Sequence, residues 1–239
     1  IDMKSRQAAG KIDLGQYHRP HGIERGRSGL FYVSTEKPSA LLVIDAKRRR
    51  VRSAMPLPGS LPHMIAVSQD ESKLWTADAG SGTVSIMDLR TRKQLAQVEV
   101  GGVPMGLAVS KDEKRVYCAT RSGNTVAVID GVANRLRRQI GVPGEPARLL
   151  LSPDGAMLYV SLYASGEIAA IDTRTELEVR RVEAGAAAEG LGLHPDGKSL
   201  FVSAQGENRI LEFSVPDLKP VRSIETAARP DPIHILVER

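Results

Sequence analysis

Three residue series with one spacing, and short apolar segments between turn residues, predict an all-β fold: a β-propeller of four-stranded antiparallel blades. The first series closes apolar runs with an acid, at Asp45, Asp88, Asp130 and Asp172, with Ser214 in the same place, in steps of 43, 42, 42 and 42 residues. The second is aromatic and runs Tyr32, Trp75, Tyr117, Tyr159 and Phe201, again in steps of 43, 42, 42 and 42. The third is mostly proline: Pro20, Pro62, Pro104, Pro146, Ala188 and Pro232, at 42 four times and then 44. Three unrelated residue types sharing one period mark a structural repeat.

Residues 145–182 show what one period contains. "ARLLLS" (147–152) is short and apolar, "PDG" (153–155) turns, and "AMLYVS" (156–161) is aromatic and β-branched. "YASG" (163–166) turns again, before "EIAAID" (167–172), a polar link, and "LEVRRV" (177–182). Four such segments predict four antiparallel strands, and no segment keeps a helical period. A blade has two faces to bury, so blades pack side by side. Five complete 42-residue repeats run from Pro20 to just before Pro232. Ile1–Asp2 and "KIDLG" (11–15) read as the end of a third strand and a fourth, and "IHILVE" (233–238) as a first strand. Together these fragments predict a shared closing blade, hence at least six, since a strand borrowed from the other terminus removes an open edge.

Length alone allows one domain or two, and the repeat running through the chain predicts a single domain over residues 1–239. Of the chain, 41% is apolar, enough for a large core, and no apolar run approaches the length of a membrane-spanning helix. The start, "IDMKSRQAAG", has neither an initiator Met nor an apolar leader core, so the native N-terminus is expected to lie upstream. Cys118 is the single cysteine, which excludes an internal disulfide and a cysteine metal site. Its place matches Val160 and Val202, a buried strand position. The net charge of +5 predicts weak electrostatic contact with anionic surfaces.

Connectivity assigns the links to two ends. Links entering each first strand, and those joining second to third strands, share the upper end. There "QYHRPHGI" (16–23) places His21 directly after the repeat proline, and His63 follows Pro62 in the same way. Met105, Ala147, Glu189 and Ile233 hold that position in the other repeats. His18 lies just outside it and His234 one residue beyond. Imidazoles with a carboxylate suit a transition metal such as zinc, copper, nickel or iron, so His18, His21, His63 and His234 are candidate metal ligands at the upper mouth. The alternative is loop histidines bonded to backbone. Arg148 stands where other blades have Gly22, Gly106, Gly190 or Met64, and its guanidinium would grip an anionic group. Arg121, Tyr163 and Glu189 would complete a ligand pocket; the competing role for Arg148 is an internal salt bridge to Glu145 or Glu189.

The remaining motifs read as structural. An aspartate after each third strand accepts nearby backbone N–H groups. His194, in "HPDG", shares its place with Ser110 and Ser152 and reads as a turn residue. At the lower end "KRRRVR" (47–52), "RTRK" (90–93) and "RLRR" (135–138) form a basic rim interleaved with acids. Without aromatics between them they read as a solvated charged rim, the alternative being electrostatic contact with nucleic acid or anionic lipid.

"LYVS" (158–161), "SPDG" (152–155), "PMGLAVS" (104–110) and "NTVAVID" (124–130) resemble the YVTN-type β-propeller repeats of bacterial and archaeal proteins, including surface-layer-type propellers. The chain departs from that pattern at the last place of the tetrapeptide, where Thr35, Asp78, Thr120, Leu162 and Ala204 stand and Asn never does. The resemblance implies seven blades, with further sequence N-terminal to this chain, and export to the periplasm or cell surface. The function expected is that of a non-catalytic, monomeric binding or scaffold protein whose upper face takes a protein or small-molecule ligand. Its relatives also include lactonase-like hydrolases and the propeller parts of haem and quinone enzymes, which is the alternative. No serine–histidine–acid spacing and no haem-attachment motif favours that alternative.

Overall fold

The computed structural model describes residues 5 and 7–235, and its strands form five four-stranded sheets with sequence-consecutive neighbours. The first blade is β1 (His18–Arg25), β2 (Phe31–Lys37), β3 (Ser39–Asp45) and β4 (Arg50–Pro56). The second is β5 (Pro62–Val67), β6 (Lys73–Asp78), β7 (Thr83–Asp88) and β8 (Lys93–Glu99). β9 (Pro104–Val109), β10 (Arg115–Thr120), β11 (Thr125–Asp130) and β12 (Arg135–Gly141) make the third. β13 (Pro146–Leu151), β14 (Met157–Leu162), β15 (Glu167–Asp172) and β16 (Leu177–Glu183) make the fourth. The fifth is β17 (Ala188–Leu193), β18 (Ser199–Ala204), β19 (Arg209–Ser214) and β20 (Lys219–Glu225), with a short 3-10 turn at Gln205–Glu207. The fold is an all-β propeller architecture. The fourth-blade segments predicted from sequence coincide with β13–β16 to within a residue at each end.

The chain divides into two compact units, Ile1–Gln97 and Val98–Arg239. The first holds the first blade and most of the second; the second holds the other three.

Alternation along each strand builds the packing. In the second unit, Leu158 and Val160 of β14 turn to one side and join Tyr117, Val126 and Val128 of the third blade. Tyr159, between them in sequence, turns to the other side and joins Leu200, Val202 and Phe213 of the fifth. A strand with a period of two thus serves two neighbours, which is why these strands read as almost wholly apolar. Cys118 is fully buried at its expected strand position. Outer strands need no apolar inward run, and every residue of β20 is exposed.

The turns follow the repeat. Asp88 Oδ1 accepts the N–H groups of Arg90 and Thr91, Asp130 Oδ1 those of Val132 and Ala133, and Asp172 Oδ1 those of Arg174 and Thr175. At the other lower turn, Ser68 and Ser110 donate to Asp70 and Asp112, both at Oδ1. His194 takes the serine's place, its Nδ1 2.7 Å from Asp196 Oδ1, as its register implied.

Each first strand carries a bulge just after its repeat proline or alanine. The β13–β14 ladder skips between Pro146 and Leu149, and the β1–β2 and β17–β18 ladders skip at the same place. The backbone N–H freed there donates to a serine two residues beyond the repeat aromatic: Gly22 to Ser34, Arg148 to Ser161, Gly190 to Ser203. Ser34 and Ser161 in turn donate to the His63 and Glu189 carbonyl oxygens of the next blade.

Two sequence expectations change at the ends. Residues 11–15 pair with no strand; Ile12 and Leu14 instead pack on the first blade beside Val33, Leu42 and Ile44. Residues 231–235 also lack strand pairing, yet they run along β17, so close that a Cβ on Gly192 would lie 2.5 Å from Ile233 Cγ2. Side-chain packing, and no strand pairing, holds both segments. Ile1–Asp2 and residues 236–238 of the expected closing strands fall outside the described residues.

Candidate functional site

The upper end of the second unit gathers charge from three blades. Arg121 lies in the β10–β11 link, Arg148 in the β13 bulge, Tyr163 in the β14–β15 link and Glu189 in β17. Arg121 Nη2 donates to Glu189 Oε2 at 2.7 Å, with the glutamate side chain only 8% exposed. The Arg121 guanidinium lies 4.7 Å from the centre of the Tyr163 ring, in the geometry of a cation–π contact. Arg148 Nη2 donates to Asp231 Oδ2 at 3.3 Å. Arg121 thus touches both Glu189 and Tyr163, while the Arg148 charge acts on the Glu189 carboxyl.

Local structure explains each position. The bulge takes Arg148 out of the strand ladder, and a bulge commonly re-aims a side chain in this way. Arg121 and Tyr163 are fixed at their backbones, with Arg121 N donating to Val103 O at 2.8 Å and Tyr163 N to Glu145 O at 2.9 Å. Of the two partners proposed for Arg148, neither Glu145 nor Glu189 is the one it grips. Its partner is Asp231, brought in by the unpaired terminal segment.

The electrostatics are unequal. Burial raises the Glu189 carboxyl above the usual carboxylate range; the Arg121 and Arg148 charges oppose that rise, and Asp231 adds to it. Arg121 Nε and Arg148 Nη1 are buried and meet no hydrogen-bond acceptor among the described residues. A guanidinium N–H left so costs about 1–3 kcal/mol or more, which an incoming oxygen would recover. The site thus combines oriented donors, an aromatic face and a carboxyl that holds its proton more readily than usual.

The histidines sort differently. His21 and His63, both in the first unit, stack with ring centroids 3.7 Å apart and planes tilted by 34°. The 42-residue register predicts this meeting, since it sets the two on neighbouring first strands. Their contact is between ring faces, whereas metal ligation uses lone pairs in the ring plane. His18 is exposed at the start of β1, opposite Lys37. His234 belongs to the second unit, beyond the last strand. Among the described residues no three His, Cys, Asp or Glu side chains are grouped to hold a metal ion.

A family model described as Lactonase, 7-bladed beta-propeller, matches residues 90–195. That span contains Arg121, Arg148, Tyr163 and Glu189. None of the curated proteins matches the chain in sequence. Among solved structures, a chain of Kuenenia stuttgartiensis hydrazine synthase is similar with a TM-score of 0.69 at 17% identity, covering 95% of this chain and 91% of that one. Virginiamycin B lyase from Staphylococcus aureus gives a TM-score of 0.79 at 14% identity, over 93% of this chain and 76% of that one. A streptogramin B lyase structure gives 0.81 at 14%, over 92% and 74%. At such identities the likeness is one of fold.

Proposed function

We propose that this protein is a binding β-propeller, related to the YVTN-type repeats, whose second unit takes a small molecule bearing carboxylate or carbonyl oxygens. Arg121 and Arg148 supply the donors, Tyr163 a wall, and Glu189 and Asp231 hold the guanidinium groups in place. One observation carries the reading: two buried guanidinium N–H groups without an acceptor among the described residues. Calorimetric titration with a panel of small mono- and dicarboxylates tests it. Saturable binding should weaken roughly tenfold or more in Arg148→Gln, the loss of one charge-assisted hydrogen bond. No saturable binding across the panel would overturn it.

The lactonase-type match over the same residues supports a second reading, a hydrolase acting on a cyclic ester. Here Glu189 would carry a proton to or from the reacting oxygen, and Arg148 would stabilise the negative charge that develops on the carbonyl oxygen. Base consumption by the protein with simple lactones, absent in Glu189→Gln, separates this from binding alone. The resemblance also supports export to the periplasm or cell surface.

A further inference from the structure

The lower end of the first unit holds a cavity of about 400 Å³ with an unusual wall. Three separate segments supply it: the end of β1 with the link after it, the link between β3 and β4, and β4 itself. From these come Arg25, Arg27, Lys47, Arg48 and Arg52, with Asp45 the one carboxylate in the lining. Arg48 already holds Asp45, through Nη1 to Oδ2 at 2.8 Å and its backbone N–H to Oδ1 at 3.0 Å. Arg27 donates to the neutral Gln69. Among the described residues no carboxylate pairs with Arg25, Lys47 or Arg52. Glu71, behind the wall, is occupied by the Ser28 N–H and hydroxyl and by the Tyr32 hydroxyl. Even with Glu71 counted, three positive charges stay unbalanced among the described residues around this concavity.

Cations gathered from three segments repel one another, and a concave wall focuses their field outward. Asp45, the one engaged acid in this lining, offsets only a single one of its cations. A single carboxylate would leave most of the charge unbalanced, whereas a chain of linked phosphates carries several negative charges in a small volume. Guanidinium forks match phosphate oxygens in pairs, and a lysine beside them adds a point charge. We propose that this cavity binds a condensed phosphate group, a di- or triphosphate, with Arg25, Arg52 and Lys47 as the principal contacts. The inference is independent of the arginine site in the second unit.

Calorimetric titration of the whole chain with inorganic tripolyphosphate, at low salt, tests it. One saturable site is expected, tighter than for orthophosphate and weakening as salt rises. Arg25→Gln with Arg52→Gln should weaken binding roughly tenfold or more. Arg135→Gln with Arg174→Gln removes the same charge from exposed positions in and beside other lower links and should change it less than threefold. Lys47→Glu, on an exposed link, gives a second reading should the double variant fail to fold, and it too should lose the site. Equal losses in the two double variants, no preference over orthophosphate, or no saturation would overturn the proposal.

Discussion

The Ser161 hydroxyl donates to the Glu189 carbonyl oxygen at 2.6 Å, tying the second strand of the fourth blade to the first strand of the fifth. The Ser161 hydroxyl oxygen in turn accepts the Arg148 N–H at 3.0 Å. One buried side chain therefore fixes the backbone of both an arginine and a glutamate of the candidate site. It does so at the bulge, where the strand ladder cannot.

Replacing Ser161 by alanine removes both bonds and leaves a buried carbonyl and a buried N–H without partners. A loss of about 1–3 kcal/mol in unfolding free energy is expected, read by urea denaturation. Any carboxylate binding at Arg148 should weaken with it, although Ser161 touches no ligand. Full stability in Ser161→Ala would show that the bulge is held by other means.

The repeat was legible because each blade restates it: the aromatic, the acid and the proline occupy fixed places in every copy. The His21–His63 stack follows from the same register. The serine at the bulge was equally open to reading, since Ser34, Ser161 and Ser203 share one place, with Ala77 and Ala119 between them. Its role was missed because it looks like any small strand residue until the bulge is seen. Asp231 was less accessible. It reaches Arg148 across 83 residues, on a segment whose path depends on side-chain packing against Gly190 and Gly192 and on no strand pairing. The choice between Glu189 and Asp231 for each arginine is likewise set by where flexible side chains end, which spacing does not encode.

Glu24 gives a pH signature for the first unit. It lies in β1, its Oε2 accepting the Val67 N–H of β5 at 2.9 Å. Burial raises its carboxyl to about 7, against the opposing pull of that N–H. The folded protein thus binds a proton that the unfolded chain has released, from an ordinary carboxylate pKa up to about 7. Stability from this group is complete at the acid end and is lost as pH rises through that window. In Glu24→Gln the amide oxygen still accepts from Val67 and nothing titrates. The variant should gain on the parent between pH 5 and 8, by roughly 1–3 kcal/mol. Denaturation curves that stay parallel across that range would remove Glu24 from the account.

Gly106 tests how closely neighbouring first strands approach in the second unit. A Cβ there would lie 2.6 Å from the Ala147 carbonyl oxygen and 2.9 Å from the Arg148 Cα. Both are backbone atoms, so no rotamer change relieves the contact, and one strand must move away from the other. Gly106→Ala is expected to cost about 1–3 kcal/mol, the range for overpacking in a close-packed interior. Because the atoms displaced belong to the Arg148 bulge, the variant should also alter the arginine site. A melting temperature and carboxylate affinity both equal to the parent's would mean that the strands have slack at this point. Gly141→Ala is the matched control: a Cβ there meets nothing within 4 Å, and stability should change by less than about 0.5 kcal/mol.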